Sequence, residues 1–439
     1  MKTLFNLYIN MKILIILPYI PYPLDSGGNQ ATFFMIDQIR KVHQVSLCFD
    51  ICGRGVVKHV DSNKSLLVEQ LKEKWPDVTF YSFQGQRKFQ KDIPKLGTYG
   101  CILKALEESF HRKYIRKVKH SEEKRSNGEL MIAPSPLFEK PRELDEGFLH
   151  FIYEISRKGF DCVQIEMYEY LHLVYLLPKT VKRIFIHHEI RFVRNYNTLN
   201  LFHTDNLNDI ILYHQLKAQE IGALNEYDSI VNLSDYDKKT LSKYIEPDKI
   251  HVSPAGVCFS HTENKFKMAD EFVFVGSGNH QPNMDGLLWF TKEILPNLRK
   301  LTTNIKIHIV GKWNEAQQEV FSHNPELIFE GFIEDLTSFI CGKISIVPVR
   351  IGSGIRIKIL EAVNAYSPII TTVKGVEGIK FENNNDCIIT DSPVDFAKFM
   401  FDLLQNKEKQ KSLCDKAHML LDKEFSNDNL VAKRLEIYE

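Results

Sequence analysis

Short apolar runs of strand length alternate with helix-length stretches along most of the chain. The first series falls near Lys12 to Leu17, Val45 to Phe49, Cys162 to Glu166, Arg183 to His187 and Ser229 to Leu233. A second begins near Glu271 and takes in Phe272 to Gly276, Ile305 to Gly311, Leu327 to Glu330, Ile344 to Pro348, Pro368 to Thr372 and Cys387 to Thr390. Such alternation predicts parallel sheets with crossover helices, hence two Rossmann-like α/β halves. Turn chemistry in Ser253-Pro254-Ala255-Gly256-Val257, followed by a polar stretch, places the boundary between Pro254 and Asp270. The expected units are 1–260, 261–420 and a helical tail 421–439, the helices from Val394 onward packing back toward the first half.

Composition narrows the class without naming a chemistry. A chain of 439 residues with 44% hydrophobic content supports more than one core. Lys+Arg of 56 balances Asp+Glu of 56, which gives no global case for a nucleic-acid partner. The eight cysteines are scattered, and Cys48 and Cys52 lack C-x-x-C spacing, so a reduced cytoplasmic setting is expected. The apolar run Ile13 to Leu17 is too short to span a bilayer and reads as a buried strand. Residues before Met11 read as a short extension or the product of an upstream start.

The densest chemistry is Gly352-Ser353-Gly354-Ile355-Arg356-Ile357-Lys358-Ile359-Leu360-Glu361-Ala362, between a strand and a helix. Glycines let the backbone approach a ligand, and the N–H groups and dipole of a helix start favour an anion. Arg356 and Lys358 add mobile donors, and Lys358 and Glu361, three apart, share one helix face. Gly276-Ser277-Gly278 and Gly352-Ser353-Gly354 both begin like G-x-G-x-x-G, but Gln281 and Ile357 stand at the third glycine. With no G-x-x-x-x-G-K-[ST] loop either, a dinucleotide enzyme and a nucleoside triphosphatase are disfavoured.

This segment resembles the carboxy-terminal signature of family 4 glycosyltransferases, retaining enzymes of the GT-B fold, in which two Rossmann-like domains face a central cleft. The resemblance extends to Gly331-Phe332-Ile333-Glu334-Asp335-Leu336, to Pro368-Ile369-Ile370-Thr371-Thr372, and to Phe274-Val275-Gly276-Ser277-Gly278 with Pro282-Asn283-Met284-Asp285-Gly286. It implies transfer of a sugar from a nucleoside diphosphate sugar to a hydroxyl of a glycan or lipid-linked acceptor, in polysaccharide, lipopolysaccharide or glycan assembly. No cofactor or metal is expected. Arg356 and Lys358 would stabilise the departing diphosphate, Glu361 would bind the ribose, and Gly276, Asn283, Gly352, Ser353 and Gly354 would shape the donor site. Non-hydrolysing sugar-nucleotide epimerases share the architecture and are separated only by the signature.

One departure stands out: the family commonly carries two glutamates in this signature, and here Ser353 occupies the first position. A non-catalytic nucleotide-binding subunit, or a scaffold, is therefore the alternative reading. In the first half, Asp25-Ser26-Gly27-Gly28-Asn29 resembles the family's cleft loop, Gly27 and Gly28 admitting a close ligand; a plain strand-to-helix turn is the bland alternative. His187 or His188, at a strand end beside Glu189, resembles the histidine placed near the donor sugar, whereas a histidine pair alone is more often structural. Glu166 reads as a structural hydrogen-bonding group. The basic block from Arg112 to Arg125, interleaved with Tyr114, Ile115 and Val118, offers a peripheral membrane contact, or only a solvated helix face.

Overall fold

A computed structural model describes residues 10–24, 27–51, 64–84, 138, 143–202, 206–254 and 266–439. The basic block from Arg112 to Arg125 lies outside the described residues. The first sheet is formed by β1 (Lys12–Leu17), β2 (Gln44–Asp50), β3 (Thr79–Phe83), β4 (Cys162–Glu166), β5 (Lys182–His187), β6 (Ser229–Asn232) and β7 (Ile250–Val252). The strands run in the order β3-β2-β1-β4-β5-β6-β7, every pair parallel. Five of the six residues of β1 are buried, as helices on both faces of a parallel sheet require.

The second sheet holds β8 (Glu271–Val275), β9 (Ile307–Val310), β10 (Leu327–Gly331), β11 (Lys343–Val347), β12 (Ile369–Thr371) and β13 (Ile388–Ile389), in the order β10-β9-β8-β11-β12-β13. Again all pairs are parallel. Each sheet reverses its strand order once, at β1/β4 and at β8/β11. Ligands of open α/β sheets bind beyond the carboxyl ends of the strands at such points. The loops after β1, β8 and β11 therefore define where chemistry is placed.

Between the domains, Leu233 of the first packs in one apolar cluster with Ile355, Val376 and Ile379 of the second. The chain then returns. After the helices Pro393–Gln405 and Lys407–Glu424, the helix Asn427–Leu435 lies against the first domain, with Leu430, Ile437 and Tyr438 in the core beside Ile36 and Ile39. Arg434 Nε donates to Ser253 Oγ at 3.0 Å across that junction. Among the described residues no helix is long and apolar enough to cross a membrane.

Candidate active site

The loop leaving β11 is anchored before it turns. Arg350 is held by Asp285 through two bonds, 2.7 Å from Nη2 and 3.2 Å from Nε, which tie the loop to the helix Gln281–Trp289. The backbone then passes through Gly352 (φ 123°) and Gly354 (φ 79°), conformations that side-chain-bearing residues rarely adopt. A Cβ on Gly354 would lie 2.5 Å from the main-chain oxygen of His188, so only glycine permits this approach of the two domains. Gly27 plays the matching part on the opposite wall, where a Cβ would stand 2.7 Å from Ile357.

Beyond the loop, Ile359, Leu360, Ala362 and Val363 bury one stripe of the helix Ile357–Asn364, which leaves Lys358 and Glu361 on the wall of the cleft. Lys358 Nζ donates to Asn283 Oδ1 at 2.7 Å, and Asn283 Nδ2 donates to Ser277 O at 3.0 Å. Gly276 makes room for that amide, which a Cβ would meet at 2.6 Å. The Arg356 guanidinium folds back, its Nη1 donating to Ser353 O at 2.6 Å and to Gly354 O, while its buried Nη2 has no hydrogen-bond partner. The cleft encloses about 660 Å³ and is bordered by Gly27, Gly28, Gly276, Asn283, Lys358 and Glu361, together with Gly352, Ser353 and Arg356. That volume suits a nucleotide-sized ligand.

Charge in this cleft is held under tension. Burial pushes the Lys358 ammonium down to about 7, with the Arg356 charge adding to the effect and Glu361 opposing it. Burial pushes the Glu361 carboxyl up to about 7, against the pull of Lys358. Both side chains keep partial contact with water along the wall, which moderates the two effects. An anion bound beside Lys358 would relieve the first, because it restores the partner that water supplied, and hydroxyl donors to Glu361 would relieve the second. Burial also lowers Arg356, although Glu189, Glu377 and Asp237 oppose it.

The two histidines part company. His187 is buried, and its Nε2 lies 3.0 Å from Glu220 Oε1. The Glu220 carboxylate accepts from Arg191 N at 2.9 Å and Phe192 N at 2.8 Å, so this pair caps the helix Arg191–Phe202 rather than bordering the cleft. His188 sits at the seam, with its Nε2 3.0 Å from Glu166 Oε2. Adjacent residues of an extended strand end point to opposite sides; the ring of His188, 23% exposed, turns to Glu166 of its own domain, and it is the His188 main-chain oxygen that meets Gly354, while the histidine bordering the cleft is His280.

Ser353 is committed elsewhere. Its hydroxyl accepts from Ile190 N at 3.2 Å and donates to Asp237 Oδ1 at 3.3 Å, both in the first domain. Asn197 Nδ2 donates to Gly352 O at 3.1 Å and reinforces the same seam. A carboxylate does border the cleft from the other side: Glu189, whose Oε2 lies 3.2 Å from Arg194 Nη1. Burial would raise its pKa, but Arg194, Arg191, His280 and Arg356 outweigh that and hold it below the usual range.

Lys312, Phe332 and Glu334 also border the cleft and were not read as site residues from the sequence. Their signal is positional: Gly311-Lys312 follows β9 and Phe332 follows β10, at carboxyl strand ends. Likewise β3 and β7 escaped the apolar pattern: β3 fully buries only Phe83, and β7 has three residues.

Two parallel-sheet domains, of seven and six strands, joined across a cleft at their switch points make the GT-B fold of glycosyltransferases. Residues 269–406, which hold β8 to β13, match the family model described as "Glycosyl transferases group 1". A protein of Klebsiella pneumoniae, described as an uncharacterized 44.6 kDa protein in the cps region, is 24% identical over 164 residues, 35% of this chain and 42% of the relative. Solved structures share the fold along the whole chain. TarM superposes with a TM-score of 0.66 at 10% identity, covering 98% of this chain and 99% of its own. HepE of Anabaena, in complex with UDP and glucose, gives 0.61 at 12% identity over 97% and 99%. Sucrose-phosphate synthase of Thermosynechococcus elongatus gives 0.63 at 11% identity over 98% of each chain.

Proposed function

We propose that this protein transfers a sugar from a nucleoside diphosphate sugar to an acceptor hydroxyl with retained anomeric configuration, on the cytoplasmic side of cell-surface polysaccharide, lipopolysaccharide or glycan assembly. The observation that carries the reading is the convergence of Lys358, Arg356 and two left-handed glycines on one cleft, within a segment that matches a glycosyltransferase family. A uridine diphosphate donor is the first choice, since HepE was solved with UDP and glucose. The curated relative in a cps region supports the polysaccharide setting.

Breaking the glycosidic bond leaves negative charge on the diphosphate. Lys358 and the unpartnered Nη2 of Arg356 stand where that charge develops, and one such preorganised donor contributes roughly 3 kcal/mol. Glu361, one turn further on, accepts from the ribose hydroxyls. Retention follows from attack on the face the diphosphate leaves, with a phosphate oxygen taking the acceptor proton. The two cations supply the charge neutralisation, so transfer is expected to persist in a chelator.

The test is diphosphate release from separate UDP- and GDP-sugars, with and without a lipid acceptor extract. Acceptor-stimulated release with a retained product linkage supports the proposal. Nucleotide binding without release across donors and acceptors favours a binding subunit instead, a reading that Ser353 motivates by standing where the family carries a glutamate.

Binding should also be coupled to protons. Above pH 7 the free protein has a neutral Lys358 that an anionic diphosphate recharges, so binding takes up a proton and affinity falls as pH rises, by up to about tenfold per pH unit. Below pH 7 the protonated Glu361 must ionise beside a charged Lys358, so binding releases a proton and affinity falls as pH drops. UDP-glucose is the suitable ligand, because its diphosphate diester does not titrate in this range. Calorimetry in buffers of differing ionisation enthalpy is expected to show net exchange changing sign near pH 7; constant affinity with no exchange from about pH 6 to about pH 8 would refute the coupling.

A further inference from the structure

We propose that Tyr438, next to the end of the chain, is a positioning residue for His188: a buried line of hydrogen bonds from Tyr438 through Gln164 and Glu166 fixes the imidazole with its proton on Nε2 and its lone pair on Nδ1. The inference rests on the transferase reading for its consequence, though not for its geometry. Its polarity is set at Glu166, whose carboxylate oxygens accept. Arg434 Nε donates to Ser253 Oγ at 3.0 Å and pins the turn that carries Tyr438. Tyr438 donates its proton to Gln164 Oε1. The Gln164 amide is thereby turned so that Nε2 donates to Glu166 Oε1 at 2.8 Å. The second oxygen of Glu166 accepts from His188 Nε2 at 3.0 Å.

The line is buried. Tyr438 is 1% exposed, Gln164 0%, Glu166 3% and Arg434 4%. Burial pushes the Tyr438 phenol up, so it stays protonated and remains a donor. In a site of low dielectric, aligned bonds polarise one another, and each link specifies the next. Tyr19, whose hydroxyl lies 2.7 Å from Thr32 Oγ1, is the other titratable group facing Glu166, and it too is held neutral by burial. The result is a sequence-distant control on the His188 imidazole: the turn that carries Tyr438 sets which ring nitrogen is free to accept a hydrogen bond from a sugar or acceptor hydroxyl.

The full chain, labelled with ¹⁵N-histidine, tests this. In the unmodified protein the His188 ring, assigned by its loss in His188→Gln, is expected to show the Nε2-protonated pattern. Tyr438→Phe removes one oxygen and should shift that pattern toward a tautomer mixture, with transfer lowered about three- to tenfold. Because Tyr438 acts through His188, Tyr438→Phe in a His188→Ala background should cost nothing further. Glu166→Gln is the second variant: Gln164 then donates to the new amide oxygen, its NH₂ faces His188, and the ring should reverse to Nδ1-protonated. Unchanged ring shifts in both variants, with losses that multiply in the double variant, would overturn the proposal and leave Tyr438 as a tether only. Should no variant or parent transfer sugar, the transferase reading fails while the ring shifts still decide the relay.

Discussion

Lys358→Ala is expected to lower acceptor-dependent transfer by about 10²- to 10³-fold, chiefly in kcat, while the protein stays folded. The size follows from what the ammonium meets. Its donor group lies 2.7 Å from Asn283 Oδ1 on the wall of the cleft, where on the proposed function a diphosphate would gather charge as the sugar leaves. A donor aimed at charge that exists only in the transition state acts on turnover more than on binding. Stability should not fall with activity. Burial disfavours the Lys358 charge and holds its pKa near 7, so the free fold gains little from keeping a cation there. A residue that strains the resting state is one retained for its ligand. Diphosphate release, sugar incorporation and a thermal melt on parent and variant check this; activity within about threefold of the parent would remove Lys358 from the proposed mechanism.

Much of the architecture was legible because buried parallel strands advertise themselves. Continuous runs such as Ile13 to Leu17 and Ile344 to Val347 have both faces covered, so their apolarity survives whatever packs on them. Thr79–Phe83 and Ile250–Val252, the edges of the first sheet, went unread, while the edges of the second, Leu327–Gly331 and Ile388–Ile389, were read from the same pattern, so edge position alone does not decide legibility. In the site, the glycine loop and the Lys358–Glu361 face could be read from spacing, since one helix carries both side chains. What spacing could not reveal were contacts between distant segments. Asn283 as the partner of Lys358 and Glu220 as the partner of His187 are set by the packing within each domain, and Asp237 as the partner of Ser353 only when the two domains meet. The histidine pair shows the limit most plainly: adjacent in sequence, one caps a helix while the other turns to Glu166.

The same seam explains why a serine stands at the position where a glutamate is the family habit, and it predicts the outcome of restoring the glutamate. Ser353 is 7% exposed, with its hydroxyl bonded to Ile190 N and to the buried carboxylate of Asp237. Burial raises the pKa of Asp237, the serines and His187 opposing it and Glu377 adding to it, so a further negative charge on this side is disfavoured. Ser353→Glu would press a longer side chain and a second carboxylate against Asp237. Either the charge stays buried and draws the unpartnered Nη2 of Arg356 away from a bound diphosphate, or the domains part to let it reach water. Both routes weaken the cleft, and transfer should fall about 100-fold. Ser353→Ala loses two hydrogen bonds without adding charge and should fall only about tenfold. The order of the two variants carries the information. A serine that merely marks a missing sugar contact would make Ser353→Glu the more active of the pair, whereas a serine that latches the domains makes it the less active, with small-angle scattering reporting a more open molecule.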